Sequence, residues 1–437
     1  MEIPQVKVGI MTVPTLQFVF HEDYELDDKV VCGMQVAEIK EDKILWKGVL
    51  YNEILFVPKD AESGYFELLD VTIGVNFHWE RKENQSFRGA LKLIIENGGI
   101  TAINILSVEE YLLSVISSEM SATASLELLK AHAVISRSWL LAQIEKNKQL
   151  EEQDITYNSC KITDTEIIKW YDREDHTNFD VCADDHCQRY QGITRESTER
   201  VRDAIKATWG EVVMYNEKLC DARFSKCCGG VFERFESCWE PVHHHYLEAR
   251  RDSEHPMDFP DLTKEDVATE WILSKPEAFC NTTDKNTLSQ VLNNYDQETT
   301  DFYRWEVKYS QEEISNLIKN RSGIDYGKII DLVPIERGTS GRLTKLKIIG
   351  TERTRIIGKE LEIRRTLSSS HLYSSAFIVE KEGIIDGIPS KFILKGAGWG
   401  HGVGLCQIGA AVMGEKGYDY KTILLHYFID ANINNLY

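Results

Sequence analysis

A dense run of glycines near the end of the chain limits the possible local fold more strongly than any other feature. The stretch GAGWGHGVGLCQIGA, residues 396–410, alternates glycines with other residues and includes Trp399 and His401. Because glycine weakens helices and strands and permits positive φ or close backbone approach, this stretch predicts a built loop. A phosphate-binding loop is disfavoured, since no window reads GxGxxG or GxxxxGK. A purely structural turn remains the alternative to a functional site.

Length and charge set the broad class of protein. The 437 residues exceed the size at which one hydrophobic core keeps growing, so we expect two or three packed units. A formal charge of -20 would repel a phosphate backbone, and nucleic acid is therefore not an expected partner. We also expect no transmembrane segment, because no apolar run approaches the roughly 20 residues that cross a bilayer. The first residues show no secretory signal pattern.

Cysteine usage predicts thiols or a metal site. The 10 cysteines are too scattered over a chain of this length for a disulfide-stapled scaffold. Adjacent Cys227 and Cys228 allow either a strained vicinal disulfide or two thiols that do not pair. Cys228 also precedes Gly229 and Gly230 in a predicted tight turn, where it is either a nucleophile activated by Lys226 or a turn cysteine.

The pattern along the chain predicts an α+β protein. Residues 1–95 alternate short β-type segments with polar turns and form a β-rich N-terminal unit. Residues 96–250 and 331–437 are predicted to form a mixed catalytic core with paired helices at the active site. Residues 251–330 are polar, contain two amphipathic helical patterns, and are predicted to be a helical insertion or lobe.

The first predicted helix carries the best acid/base candidate. Ser107 and Glu110 form a capping box before an apolar stripe at helical spacing, and Glu119 continues that stripe. A carboxyl group among apolar neighbours is expected to have a raised pKa, which suits proton donation. The alternative is an interior glutamate paired with Lys130 or Arg137 of a second helix, predicted at about 126–146.

A cluster of histidines and cysteines predicts a metal centre. The segment DHTNFDVCADDHC contains His176, Cys182, His186 and Cys187, donors that suit zinc better than calcium or magnesium. Four ligands would make a closed structural site, whereas three would leave a position for water. Unligated polar loop residues and a zinc-dependent hydrolase both remain alternatives.

The order of several motifs resembles the stage II sporulation protein D and amidase enhancer family of bacterial cell-wall proteins. The resemblance rests on these stretches of the chain: RGALKLI at 88–94, VEEYLLSVISSEMSATASLELLKAHAVISRSWLL at 108–141, CQRYQG at 187–192, the double glycine at 229–230, TSGRLTKLKIIG at 339–350, IRRTL at 363–367 and GWGHGVGLCQIGAAVMGEKGYDYKTILLHYF at 398–428. These stretches are distributed from residue 88 to residue 428, so the resemblance extends over most of the chain.

The resemblance implies a lytic transglycosylase that cleaves peptidoglycan glycan strands, especially strands stripped of stem peptides. The family's catalytic acid, in its SEM motif, falls on Glu119. The resemblance further implies a structural zinc in the loop at 176–187 and a location in the cell envelope. A non-catalytic activator of a cell-wall amidase is the alternative. The implied substrate-binding residues are Arg137, Gly229, Gly230, Trp399, His401 and Gln407, and Trp239 is a further candidate for stacking on a sugar.

Three positions depart from the family pattern. Ser121 stands where the family usually has proline after the SEM methionine, and His132 replaces its usual glutamine. Cys228 occupies a serine-type position before the double glycine. None of these changes removes Glu119, but they leave room for an altered substrate or for lost activity.

Overall fold

The computed structural model is an α+β protein, as predicted, and describes residues 3–73, 81–121, 124–153, 159–170, 176–184, 187–195, 198–291 and 300–437. It divides into two compact units. The first comprises Met1–Gln153, Glu174–Val212 and Asn434–Tyr437, and the second comprises Asp154–Arg173 and Val213–Ile433.

The strands of the described residues are, in chain order, β1 Gln5–Val13, β2 Thr15–Leu26, β3 Lys29–Lys40, β4 Lys43–Trp46, β5 Val49–Tyr51, β6 Glu53–Pro58, β7 Tyr65–Ile73, β8 Arg81–Arg88, β9 Ala90–Glu96, β10 Gly99–Ser107, β11 Cys160–Ile162, β12 Glu166–Lys169, β13 Val181–Cys182, β14 Glu211–Tyr215, β15 Lys218–Leu219, β16 Phe224–Ser225, β17 Arg304–Ser310, β18 Ile329–Arg337, β19 Leu343–Gly350, β20 Thr354–Gly358, β21 Phe377–Glu382, β22 Lys391–Ala397, β23 Leu405–Cys406 and β24 Asn432–Asn435.

The helices are α1 Val108–Glu119, α2 Leu126–Gln153, α3 Glu199–Ala207, α4 Phe235–Cys238, α5 Glu265–Leu273, α6 Lys285–Val291, α7 Gln311–Ser322, α8 Glu360–Thr366, α9 Gln407–Glu415 and α10 Tyr420–Tyr427. Within the part of the chain that is described, no helix is both long and apolar enough to cross a membrane.

A sheet that is antiparallel except for the parallel pair β13 and β1 dominates the first unit. Its strand order is β13-β1-β10-β9-β6-β2-β3-β4-β5, with β7 pairing with β2 and β8. Two-residue turns with positive φ join β2 to β3 at Asp27 and Asp28 and join β3 to β4 at Glu41 and Asp42. This is the hairpin connection that matches the right-handed twist of strands. The predicted β-rich character of this region is therefore produced by short, local connections.

Helices α1 and α2 follow the sheet directly. Ser107 ends β10 and caps α1, because its side chain accepts a hydrogen bond from the Glu110 backbone N–H. This confirms the helix start predicted from the capping box. The second helix begins at Leu126, as predicted, but continues to Gln153, beyond the predicted end near residue 146.

The second unit contains two sheets around an apolar core. The larger has the order β11-β12-β20-β19-β18, and the smaller has the order β17-β22-β21. Helices α7 and α8 contribute Ile314, Ile318 and Ile363 to this core, where they cluster with Leu346 and Phe392 from the strands. The apolar faces of the helices and strands thus share one interior.

The contacts divide the chain differently from the predicted segments. The amphipathic patterns at 251–330 do form helices, α5 and α7, but the same segment also supplies β17. Strand β17 pairs antiparallel with β22 over seven residues, from Arg304 with Ala397 to Ser310 with Lys391. The segment is therefore part of the second unit and does not form a separate lobe. Likewise, residues 1–95 share the first unit with β10, α1 and α2.

Candidate active site and metal centre

Glu119 is the last residue of α1 and is partly exposed. Its Oε1 accepts a hydrogen bond of 3.1 Å from the backbone N–H of Arg189. Val115 and Ile116, about one turn earlier on the helix, are fully buried. The side chain thus sits where a buried helix face reaches the surface, with one carboxylate oxygen held by a backbone donor. This is a suitable position for a general acid or base.

The segment that holds Glu119 packs along α1. The Tyr111 hydroxyl donates to Gln188 Oε1 at 3.2 Å, and the Tyr111 ring stacks on Tyr190 with ring centroids 5.1 Å apart. The Gln191 backbone N–H donates to Ser114 Oγ at 3.0 Å. These contacts fix residues 188–191, and with them the N–H group that binds Glu119.

Three of the four predicted metal ligands come together next to this segment. The donor atoms of His176, Cys182 and Cys187 all lie within 4.8 Å of one another. Cys182 lies in β13, which pairs with β1, and its backbone N–H donates to the Cys187 sulfur at 3.5 Å. One imidazole and two thiols at this separation fit a zinc ion with a fourth position left over. The fourth predicted ligand, His186, lies outside the described residues.

Two of the predicted metal ligands and Glu119 lie close to the same buried tyrosine, Tyr111. Burial raises the pKa of Tyr111 well above its ordinary value, and the nearby Cys187, Cys182 and Glu119 raise it further. Only Gln188 separates Cys187 from Arg189, the residue whose N–H binds Glu119. A metal at the triad would therefore fix the start of the segment that positions the glutamate.

A cleft of about 300 Å³ opens beside the triad. Its lining includes Met11 of β1, Ile73 of β7, His176, Cys182 and Arg189. Volumes of this size are typical of ligand sites. The cleft therefore lies next to two of the predicted metal ligands and to the residue whose backbone N–H binds Glu119.

Arg137 is fully buried and forms a structural ion pair. Its Nε and Nη2 donate to the two carboxylate oxygens of Glu109 at 2.8 and 2.7 Å, and its Nη1 donates to the Glu211 carbonyl at 2.9 Å. The Tyr437 hydroxyl and the Gly210 N–H also donate to Glu109. Because all the guanidinium nitrogens bind protein atoms, this geometry favours a structural role for Arg137 over the substrate contact implied by the family resemblance. It also shows that the glutamate paired with Arg137 is Glu109 and not Glu119.

In the second unit, the glycine-rich stretch 396–410 was predicted to be a loop throughout, but both of its ends belong to strands or a helix. Gly396 lies in β22, Leu405 and Cys406 form β23, and Gln407 begins α9. The four glycines between these elements, at 398, 400, 402 and 404, all have positive φ. At Gly404 a Cβ atom would lie 2.1 Å from the Arg223 carbonyl oxygen. Both the backbone conformation and the close approach require glycine there.

Arg342 holds this loop in place from the protein interior. It is fully buried, and its Nε donates to the Gly400 carbonyl at 3.0 Å. Its Nη1 donates to the Cys228 carbonyl at 3.0 Å, and its Nη2 donates to the Cys227 carbonyl at 3.3 Å. One guanidinium thus joins the glycine loop to the turn that precedes the double glycine.

His401 is half-buried in this loop and hydrogen-bonded to the backbone. Its Nδ1 accepts from the Val403 N–H at 3.0 Å, and its ring packs edge-on against Trp239 with centroids 4.8 Å apart. Burial lowers the pKa of His401 well below its ordinary value, and Arg223 and Arg342 lower it further. The imidazole is therefore neutral, and its interactions position the loop.

The other predicted binding residues of this unit differ in exposure. Trp399 is half-buried and stacks on Phe302, with centroids 4.7 Å apart. Gln407 is only 2% exposed, so direct contact with a ligand is not available to it in this conformation. Gly229 and Gly230 have φ of 81° and 109° and are buried. They permit close packing of the turn and present no side chain to a substrate.

Comparisons with known proteins agree with this arrangement of motifs. Residues 96–215 match the family model described as stage II sporulation protein, and residues 233–404 match a domain of unknown function (DUF8618). The stage II sporulation protein D of Bacillus subtilis is 22% identical over 334 residues, covering 76% of this chain and 76% of that protein. Residues 96–215 thus match a domain of the stage II sporulation protein family, and the chain resembles stage II sporulation protein D and the amidase enhancer over about three quarters of its length.

Two other proteins are similar to this chain over most of its length. The amidase enhancer of Bacillus subtilis is 27% identical over 335 residues, which are 72% of this chain but only 39% of that protein. An uncharacterized protein of Brachyspira hyodysenteriae is 25% identical over 350 residues, covering 79% of this chain and 72% of its own length. Glu119, Arg137 and the metal triad all lie within the matched stage II sporulation protein region.

Sequence reasoning missed several buried residues that organise the structure around the predicted site residues of each unit. Glu109 and Arg342 are buried charges whose roles depend on long-range contacts. Glu233 is also fully buried, and its carboxylate accepts from the backbone N–H groups of Thr339 and Ser340 at 3.0 and 3.1 Å. Two quoted motifs contained a signal: the stretch at 108–141 includes Glu109, and the first four residues of TSGRLTKLKIIG supply the donors to Glu233 and Arg342 itself.

Proposed function

We propose that this protein is a lytic transglycosylase that cleaves the bond between N-acetylmuramic acid and N-acetylglucosamine in peptidoglycan glycan strands. The resemblance to this family supports a function connected with the bacterial cell wall. The observation that carries the specific reaction is the position of Glu119. It is a partly exposed carboxyl group at the end of an otherwise buried helix face, with one oxygen held by the Arg189 N–H.

The proposed reaction requires only one carboxyl group from the protein. Protonated Glu119 donates its proton to the glycosidic oxygen, and the bond between that oxygen and C1 of the muramyl residue breaks. The C6 hydroxyl of the same residue then attacks C1 and returns its proton to the Glu119 carboxylate. The products are a free hydroxyl on N-acetylglucosamine and a 1,6-anhydromuramyl end. Because the substrate supplies the nucleophile, the second carboxylate of ordinary glycosidases is not needed.

The hydrogen bond from the Arg189 N–H to Glu119 suits both the proton donation and the later proton uptake. An N–H donor to one oxygen fixes the orientation of the carboxyl group while that group gives up its proton and later takes one back. The packing of Tyr111 on Tyr190 and the bond from Gln191 to Ser114 keep that donor in place. The geometry is thus set before substrate binds, which lowers the cost of reaching the transition state.

A zinc ion would be held by His176, Cys182 and Cys187 and would act structurally. When bound, it would supply a rigid link between β13 and residue 187, where the Glu119-binding segment begins. Chelation is therefore expected to reduce activity through loss of this positioning. A zinc-dependent hydrolase, in contrast, would lose activity on chelation but would keep it in Glu119→Gln.

The test uses denuded glycan strands and product analysis by mass spectrometry. Wild-type protein should produce anhydromuramyl ends, and Glu119→Gln should reduce their rate of formation by at least about 100-fold. Glu145→Gln removes an exposed carboxylate from α2 and is the matched control, with expected wild-type activity. Anhydro ends formed at the wild-type rate by Glu119→Gln would refute the proposal.

A second candidate function is activation of a cell-wall amidase without catalysis. The amidase enhancer relative favours it, as do the departures from the family pattern at Ser121 and His132. Under this hypothesis the protein binds glycan strands and increases the turnover of an N-acetylmuramoyl-L-alanine amidase, and Glu119→Gln retains both effects. Both candidates place the protein in the cell envelope, with peptidoglycan glycan strands as partner.

A further inference from the structure

Three thiols and one carboxyl group converge in the interior of the second unit, away from the triad described above. Cys228, Asp252, Cys280 and Cys406 have all their donor atoms within 4.8 Å of one another. None of these residues is more than 2% exposed. They come from four separate segments, and Cys228 and Cys406 are 178 positions apart in the chain. Such a convergence is not produced by local sequence and needs a physical reason.

The separations match those of ligands around one ion. Cys228 Sγ lies 3.5 Å from Cys280 Sγ and 3.5 Å from Asp252 Oδ2. Sulfur atoms on a tetrahedral zinc ion, with Zn–S bonds of about 2.3 Å, are separated by about 3.8 Å. A disulfide would bring two sulfurs to about 2.05 Å. None of the ten cysteines, all of which are described, forms a disulfide, and this includes the adjacent pair Cys227 and Cys228.

Several hydrogen-bond donors contact the four side chains of the cluster. The Cys228 N–H donates to Cys406 Sγ at 3.2 Å, and the Gly230 N–H donates to Cys228 Sγ at 3.4 Å. The two oxygens of Asp252 accept from the Cys280 N–H at 3.1 Å and from the Tyr427 hydroxyl at 3.0 Å. Donors of this kind orient metal ligands and stabilise their negative charge. The His426 imidazole lies 3.4 Å from Asp252 as well.

We infer that Cys228, Asp252, Cys280 and Cys406 form a second zinc site. Thiolate sulfur favours zinc over magnesium or calcium, and four protein ligands in a buried tetrahedral arrangement leave no position for water. The site is therefore structural. It also explains the cysteine before the double glycine, since Cys228 serves as a ligand and not as an exposed nucleophile.

The ion links the parts of the second unit that shape the glycine loop. Cys228 precedes Gly229, and Cys406 directly follows the loop and ends β23. Strand β23 pairs with β16, so the two chain segments are already adjacent at Ser225 and Cys406. Asp252 and Cys280 both come from residues 251–330, so a zinc ion bound by all four ligands would also tie this segment to the glycine loop. Zinc thus complements Arg342, which joins the same loop and turn by hydrogen bonds.

Metal content of the untagged protein, purified without affinity metal, tests this inference. Wild-type protein should contain two zinc ions per chain when the triad is also filled. Cys280→Ser and Asp252→Asn should each lose one ion, and Cys182→Ser should lose the other. Cys220→Ser, which alters a fully buried thiol of the same unit outside the cluster, is the matched control and should keep both.

Cobalt substitution in the wild-type protein tests the inference even if some of the variants fail to fold. Stoichiometric exchange of zinc for cobalt should give the intense near-ultraviolet absorption of thiolate-to-cobalt charge transfer, and Cys182→Ser should retain it. The inference is overturned if Cys182→Ser contains no metal and shows no such absorption, or if peptide mapping finds Cys228 and Cys280 joined as a disulfide. These outcomes do not depend on the glycan reaction, so they can be separated from failure of the proposed function.

Discussion

Arg342 shows how a single buried side chain can organise a loop. Its guanidinium donates to the carbonyls of Gly400, Cys228 and Cys227 and to Ser340 Oγ, the last at 2.9 Å. Arginine is suited to this role because its planar fork presents several donors in fixed directions. Lysine at this position would keep the charge but could not reach all four acceptors.

We therefore predict that Arg342→Lys lowers the free energy of unfolding by at least about 3 kcal/mol, since buried acceptors are left without donors. Chemical denaturation followed by tryptophan fluorescence measures this change. Arg353→Lys, at an exposed position of the same unit, should change stability by less than about 0.5 kcal/mol. Equal, small effects of the two substitutions would show that the guanidinium contacts contribute little.

His401 is expected to make stability depend on pH. Burial holds its pKa well below the ordinary value of 6.5, so the unfolded chain binds a proton at this residue before the folded chain does. Stability is therefore complete above the unfolded pKa and falls as pH drops below about 6.5, by at most about 1.4 kcal/mol per pH unit.

The comparison of His401→Gln with wild-type protein tests this dependence. Glutamine can still accept the Val403 hydrogen bond but does not titrate. The melting temperature of wild-type protein should fall more steeply between pH 7.5 and 5.5 than that of His401→Gln. The exposed His255→Gln should follow wild type. Parallel profiles for His401→Gln and wild type would contradict the assignment.

A substitution at Arg137 can distinguish a structural role of this residue from a role in substrate binding. Arg137→Met leaves Glu109 buried without its partner, and we predict a loss of about 3–5 kcal/mol in unfolding free energy. The double variant Glu109→Gln/Arg137→Met should recover part of that loss, because the unpaired charge is gone. A stable Arg137→Met protein with an increased KM for glycan strands would instead support the direct substrate contact that the family resemblance implies.

At the scale of elements, the glycine loop depends both on backbone conformation and on close packing. Gly404 and Gly387 have similar φ, 71° and 79°, but a Cβ atom meets the Arg223 carbonyl only at Gly404 and has open space at Gly387. Gly387→Ala should cost about 1–2 kcal/mol, the price of a left-handed conformation alone. Gly404→Ala should cost distinctly more, and equal losses measured by denaturation would argue against the close packing.

The helices illustrate what local sequence can predict. The capping box at Ser107 and Glu110 fixed the start of α1, and the amphipathic patterns correctly predicted α5 and α7. The end of α2 was placed too early, because its final turns are polar and carry no apolar stripe. Strand β17 was not predicted, since its pairing with β22 joins residues far apart in sequence.

At the scale of the whole molecule, clusters of residues close together in the sequence could be predicted, and clusters of residues far apart could not. His176, Cys182 and Cys187 lie within twelve residues, so their spacing alone suggested a metal centre. Helical periodicity singled out Glu119 as an acid/base candidate, which remains a prediction. The cluster around Asp252 could not be found in this way, because only the folded chain brings its four segments together. Long-range contacts also decided that Arg137 pairs with Glu109.

One relation at this scale remains a prediction from the sequence. The glycine loop was expected to face Glu119 across a glycan groove, with His401 pointing inward. Glu119 and His401 belong to different compact units. Crosslinking of cysteines introduced at Ser117 and Lys226, analysed by mass spectrometry, would test whether the loop and the helix end approach each other in solution.

The most direct test of the proposed function is the origin of the oxygen at the new muramyl end. Denuded glycan strands are digested in water enriched in the heavy oxygen isotope, and the products are weighed by mass spectrometry. A transglycosylase that uses Glu119 and the C6 hydroxyl gives muramyl ends that are lighter by one water than hydrolysis products and contain no heavy oxygen. Muramyl ends that carry heavy oxygen, or lighter ends formed equally fast by Glu119→Gln, would contradict it.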